Sequence, residues 1–298
     1  MKTLLIKKNE SMLFPDKTDL SDVKICSMYK KTGGILQKVR MVLLFLGGPF
    51  SDFFYNKKLI SEEADLFIVQ DADARIPFLK WLRKNHPKSR IILWYWNTVE
   101  ECRRYLDPEK IPDSIEKWSY SKYDCLKYGM NYNTTFLPEV PKIIGTDDIC
   151  TDVFFVGKDK GRLDKLLEIK KLLESHKLDV DFHICKNRNR DKDNEIYKKP
   201  IPYAEILEKI KTSRVILDCC VSENAGPTIR PIEALMYRKK LITDNKAVMD
   251  EDYYCRDNIF VLGIDNNDTL RDFVMSPYKQ IDNEIVIKYT FGEWIRRF

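Results

Sequence analysis

The chain has 298 residues, 44% of them hydrophobic and 33% charged, with a formal net charge of +5. That balance describes a globular protein with chain enough for two domains, and excludes a disordered or fibrous one. The positive excess suits an anionic partner of phosphate or acidic-lipid type and is too mild and scattered for nucleic acid.

Met1 to Ile6 is a short apolar run that soon reaches Lys7 and Lys8, so it reads as a first strand and not as a secretory signal. Further strands are expected at "DVKICSM", "ADLFIVQ", "RIILWYW" and "KWSYS", with a helix at "IPFLKWLRKN" after the third of the five. The lipophilic stretch "MVLLFLGGPFSDFF" (41–54) is broken by Gly47, Gly48, Pro49 and Asp52 and is too short to span a bilayer. With Lys38, Arg40, Lys57 and Lys58 around it, it reads either as a buried helix with a basic rim or as a seat on an anionic membrane surface. "FLPEVPKIIGTDDIC" has the composition of a linker and places a domain boundary near residue 148, giving domains 1–148 and 149–298.

Beyond the linker, strand and helix alternate. "TDVFFVG", "LDVDFHICK", "RVILDCC", "LIT" and "NIFVLG" are expected strands. Between them, Leu163, Leu166, Leu167, Ile169, Leu172 and Leu173 form one helical stripe, and Tyr203, Ile206, Leu207 and Ile210 repeat at i, i+3, i+4, i+7. The C-terminal "YTFGEWIRRF" reads as an amphipathic helix. The fold class is therefore α/β: two Rossmann-like domains in tandem, with ligands expected at the carboxyl ends of the strands. The eight cysteines lack CxxC spacing and mostly sit on apolar runs, as small buried hydrophobes do, which points to a reducing cytoplasm.

The chemistry concentrates in "ENAGPTIRPIEALMYRKKLIT" (223–243). Gly226 and Pro227 set a turn after a strand, and Pro231 fits only the first turn of a helix, so a helix starts around Thr228 to Arg230. Its free N–H groups and positive dipole end suit a phosphate. Arg230 could add a bidentate contact, and Glu233 could accept hydrogen bonds from ribose hydroxyls. A plain capped helix with Arg230 and Glu233 paired on its surface explains the same spacing. "GKDKGR" (157–162) is a βα loop without Walker spacing. Gly157, Lys160 and Arg162 there could complete a cationic cradle with Arg230. Asp71 and Asp73 follow an apolar strand, where two carboxylates suit Mg²⁺ or Mn²⁺ or simply cap a helix. In "WYWNTV", Trp94 and Trp96 are expected on one strand face and Tyr95 on the other. Trp94 reads as core, and Trp96 and Asn97 as possible sugar contacts.

Through "GPTIRPIEALMYRKKLITDN" and "DVFFVGKDKGR", the chain resembles glycosyltransferases of the GT-B fold, in particular those that build bacterial surface polysaccharides such as capsule and lipopolysaccharide. The resemblance covers the C-terminal half well and the N-terminal half loosely. It implies two Rossmann-like domains facing a cleft, with the C-terminal one holding a nucleotide-sugar. Gly157, Lys160, Arg162, Gly226, Thr228 and Arg230 would serve donor binding, with Lys160 or Arg162 at the diphosphate and Glu233 on the ribose. A saccharide or lipid-linked acceptor would lie against the N-terminal domain, with Trp96 and Asn97 contacting it and Asp71 or Asp73 taking its proton. No cofactor or metal is implied. Many retaining members carry a second glutamate eight positions before the ribose-binding one. Here that position is Ala225, and Glu223 stands two residues earlier. The Asp-x-Asp pair also resembles the metal site of the other large glycosyltransferase fold, GT-A.

Overall fold

The computed structural model describes residues 1–8, 14, 18–141, 148–187, 195–221 and 226–298, with backbone alone at position 59. Two compact units result. Unit 1 comprises Met1–Thr134 with Arg296–Phe298, and unit 2 comprises Thr135–Ile295. Residues 142–147 of the linker lie outside the described residues, as do Glu223 and Ala225.

In unit 1 the expected apolar runs form β1 (Thr3–Lys7), β2 (Val23–Ser27), β3 (Leu66–Gln70), β4 (Arg90–Tyr95) and β5 (Glu116–Ser119). A two-residue strand, β6 (Asn131–Tyr132), follows at the edge and is too short to show any periodicity. The sheet is parallel throughout, in the order β2-β1-β3-β4-β5-β6. Every residue of β1 and β3 is buried, which is why these strands read as unbroken apolar runs: a parallel sheet is covered on both faces. Helix α1 spans Gly34–Phe45, α2 spans Ile76–Asn85 and α3 spans Lys122–Tyr128. Strand β4 stops at Tyr95, so Trp96 falls beyond it, while Trp94 and Tyr95 are both fully buried on opposite faces. The buried helix expected over the 41–54 stretch is not what forms. Of the residues of α1 only Arg40 and Leu44 are buried, and the following Phe50 and Phe53 are exposed.

Unit 2 contains β7 (Thr151–Lys158), β8 (Val180–Cys185), β9 (Ser213–Asp218), β10 (Lys240–Thr243) and β11 (Ile259–Val261), again all parallel, in the order β11-β10-β9-β7-β8. Helices α4 (Leu163–Ser175), α5 (Tyr203–Lys211) and α6 (Ile229–Met236) connect them. Leu166, Ile169 and Leu173 of α4 and Ile206 and Ile210 of α5 are buried, at the i, i+3, i+4, i+7 positions of the stripes. Burial of such a side chain contributes about 1.5–3 kcal/mol, so these two stripes alone hold the helices on the sheet. The last helix, α7 (Phe291–Arg296), packs Phe291 and Trp294 on Phe136, and backbone bonds at Leu137 tie the entry of unit 2 to its end. In both units the second strand lies outside the first and the third lies inside. Strand order therefore reverses between β1 and β3, and between β7 and β9. Open α/β sheets bind ligands outside the carboxyl ends of the strands at such a reversal.

Candidate anion-binding site in the C-terminal unit

The residues singled out in the C-terminal half converge on the reversal between β7 and β9. Asp218 ends β9, buried, and accepts hydrogen bonds from Thr228 Oγ1 at 3.0 Å and Thr243 Oγ1 at 3.3 Å. Burial raises the Asp218 carboxyl above its usual range, against the pull of Thr228 and of the nearby Arg162 and Arg230. Thr228 is also the N-cap of α6, accepting from the Arg230 amide at 3.2 Å, so one hydroxyl joins strand end and helix start. Pro231 lies in the first turn, as its missing N–H requires. Gly226 is buried, and its carbonyl accepts from Asn245 Nδ2 at 3.2 Å.

Thr228→Ala should therefore cost about 1–3 kcal/mol, removing a cap and leaving Asp218 short of a donor, while Thr228→Ser should keep most of that stability. Urea denaturation followed by the fluorescence of Trp294, in unit 2, reads both.

Arg230 points its guanidinium two ways. Nη1 pairs with Glu233 Oε2, and Nη2 donates to the carbonyl of Val156 in β7 at 3.3 Å. The other oxygen of Glu233 accepts from the Tyr203 hydroxyl at 2.8 Å, and Glu233 is 0% exposed. The pair at i, i+3 thus exists but is buried, not on the helix surface. With both oxygens engaged and none reaching solvent, Glu233 is not presented to a ribose here; it anchors Arg230. Burial alone would lower the Arg230 pKa, and the adjoining carboxylate outweighs this and raises it, so the guanidinium is locked in its charged form.

Arg162 reaches the same strand from the β7–α4 loop. Its Nη2 donates to Lys158 O at 3.1 Å, its guanidinium lies 5.5 Å from the Phe155 ring centre, and its buried Nε has no partner among the described residues. Gly157 makes room for it: a Cβ there would come within 3.0 Å of Arg162 Nη2. Lys160 is exposed on the loop, in left-handed backbone conformation. Lys165 pairs with Asp244, which accepts from the Cys220 amide at 2.6 Å. Burial and then Asp244 push the Cys219 thiol up to about 12, which rules it out as a nucleophile near neutral pH. The sequence offered Tyr203 only as a member of the helical stripe, and Asp218 and Asp244 were not singled out from it. The two aspartates do share a signal there, an acid closing an apolar strand run.

The N-terminal candidates lie at the matching place in unit 1. Asp71 follows β3 and is 3% exposed. Its Oδ2 accepts from Asn97 N at 2.9 Å, Asn97 Nδ2 at 3.0 Å and Cys102 Sγ at 3.2 Å. It fastens the loop after β4 and does not face solvent. Asp73 is half-buried at φ 65°, and its carbonyl accepts from the Tyr29 hydroxyl at 3.0 Å. Among the described residues no three His, Cys, Asp or Glu side chains gather as a metal site; Asp71 spends Oδ2 on Asn97 and Cys102, while its buried Oδ1 accepts no hydrogen bond from them. Trp96 is half-buried against Phe14 and Trp94, and the amide of Asn97 is turned onto Asp71.

Two doubly wound parallel units in one chain, one with arginines at its strand reversal, are the makeup expected of the GT-B type. No family model matches the chain, and no curated protein matches it. Solved structures similar to it over nearly its whole length include the glycotransferase of kitacinnamycin, at 10% identity over 99% of this chain and 96% of that one, TM-score 0.49. Sucrose-phosphate synthase from Thermosynechococcus elongatus shares 10% identity over 99% and 88%, TM-score 0.47. S. aureus MnaA, solved with UDP, shares 10% over 98% of each chain, TM-score 0.46. Likeness at this level assigns neither family nor reaction.

Proposed function

We propose that the chain is a glycosyltransferase that draws its sugar from a nucleotide-diphospho-sugar held in unit 2 and passes it to a hydroxyl of a saccharide or lipid-linked acceptor, in surface-polysaccharide assembly. The observation that carries this reading is the meeting of Arg162, Arg230 and the start of α6 at the reversal between β7 and β9. Two fixed guanidinium groups and a helix start, backed by the Gly157 approach, form a cradle for a diphosphate. In the reaction the bond between the sugar's anomeric carbon and the diphosphate breaks, and one to the acceptor oxygen forms. The acceptor hydroxyl gives up its proton, and the departing diphosphate keeps the electron pair. Charge therefore grows on the leaving group, where the arginines are already oriented and repay no reorganisation. For the acceptor proton, Asp73 is the better placed of the two aspartates, because it is only half-buried while Asp71 is sealed.

The test is calorimetric titration with UDP, GDP and CMP, joined to nucleotide release from their sugars with and without EDTA. One nucleoside diphosphate should bind, and Arg162→Ala should weaken it about 10–100-fold, the worth of a charged hydrogen bond to phosphate. Unchanged affinity in that variant, or no binding by any nucleotide, overturns the donor site. Release abolished by EDTA and restored by Mn²⁺ would shift the chemistry to a metal-dependent site at Asp71 and Asp73. Binding without release, acceptor present, would mark a binding protein.

A further inference from the structure

Helix α1 leaves most of its apolar side chains in water. Its inward side carries Leu44, 2% exposed, beside Arg40, 8% exposed, whose Nη1 donates to Lys30 O at 3.0 Å and whose guanidinium lies 5.5 Å from the Tyr29 ring. Outward, at helical spacing, stand Ile35 (80% exposed), Val39, Val42 and Phe45, and the chain continues through exposed Leu46, Phe50 (86%) and Phe53. Burying an arginine while leaving these side chains in water reverses the ordinary preference, and a contiguous apolar surface of this kind marks a docking face.

Charge identifies the occupant. Between residues 30 and 58 the sequence has six basic residues (Lys30, Lys31, Lys38, Arg40, Lys57, Lys58) and one acidic residue, Asp52, which Lys57 holds at 3.3 Å. The cations border the apolar side chains directly: Lys30 Nζ is 5.4 Å from the Phe53 ring, and Arg104 lies 4.4 Å over Phe45. Lys38 sits within the apolar arc itself, exposed. Protein interfaces exclude lysine from their apolar centres, whereas a bilayer surface accepts it, with the stem among acyl chains and the ammonium among phosphates. No helix among the described residues is long and apolar enough to cross a membrane. We infer that α1 and the loop to Phe53 dock unit 1 on an anionic phospholipid surface, with Phe45, Phe50 and Val42 entering the interface and Lys30, Lys38 and Arg104 meeting the headgroups. The inference does not depend on the donor site.

The test is co-sedimentation of the full chain with vesicles of phosphatidylcholine alone or with about one-third phosphatidylglycerol, at two salt concentrations. Binding is expected on the anionic vesicles only, weakening as salt rises. Lys30→Glu and Lys38→Glu should each lower the partition coefficient about fivefold or more. The triple change Val42→Ser, Phe45→Ser, Phe50→Ser should abolish binding while leaving the circular dichroism unchanged, since all three side chains are exposed. Absence of binding to anionic vesicles overturns the inference, and so does binding that the triple variant retains. Sedimentation of the free chain as a dimer that the triple variant dissolves would also overturn it, reassigning the face to self-association.

Discussion

Replacing Arg230 by alanine is expected to destabilise unit 2 by about 3–5 kcal/mol, the cost of leaving a buried carboxylate without its counter-charge. Glu233 is 0% exposed and would keep only the Tyr203 hydroxyl as donor. The reverse change, Glu233→Ala, should cost less. The freed guanidinium retains the Val156 carbonyl, and the Arg230 side chain is 17% accessible, so water can solvate it. Replacing both residues by methionine should recover most of the loss, because well-packed apolar side chains replace a buried ion pair at little cost, less the share due to Tyr203, whose hydroxyl loses its acceptor. Urea denaturation followed by Trp294 fluorescence measures all three, and the double-mutant cycle gives the coupling. A loss below about 1 kcal/mol for Arg230→Ala would mean that the pair behaves as a solvated surface bridge. The same variants separate stability from binding. Glu233→Ala leaves Arg230 charged but unaimed, so donor affinity should fall even where the unit stays folded.

That burial explains why part of the site was legible and part was not. The helix start at Thr228 and the place of Pro231 could be read because local chemistry dictates them: a cap and a residue without an N–H have few positions open to them. The strands could be read because parallel strands covered on both faces leave unbroken apolar runs. The i, i+3 spacing of Arg230 and Glu233 is the same on a surface or in a core. What decides it are Tyr203 and Val156, brought in from other elements of the unit. Helix α1 failed for a related reason. Its composition asks for burial, but Arg40 finds the Lys30 carbonyl and the Tyr29 ring and shares the inward side with Leu44, a contact no hydropathy pattern encodes. At Asp71 the sequence shows a carboxylate at a strand end and cannot show that Asn97 and Cys102 close over it.

Asp71→Asn should change the pH dependence of unit 1. Burial pushes the Asp71 carboxyl up to about 6, although Asn97 and Cys102 donate to it and pull it down. In the unfolded chain the group titrates near its ordinary value of about 4, so between about pH 4 and 6 the native state holds a proton that the unfolded state has released. Native protein binding the extra proton makes stability fall as pH rises through this window. The stabilisation is complete below the unfolded value and gone above the folded one, a swing of about 3 kcal/mol. The amide of the variant does not titrate, and its oxygen can accept from Asn97 as Oδ2 does. Relative to the parent, Asp71→Asn should therefore gain about 2 kcal/mol in going from about pH 4.5 to 7.5, read by urea denaturation through the unit 1 tryptophans. Parallel stability curves would show that the carboxylate is solvated and free to ionise, which would return Asp71 to contention as the group that takes the acceptor's proton. With Asp71 sealed, Asp73→Asn should slow sugar transfer, and Asp71→Asn should leave transfer standing as long as the loop after β4 keeps its place.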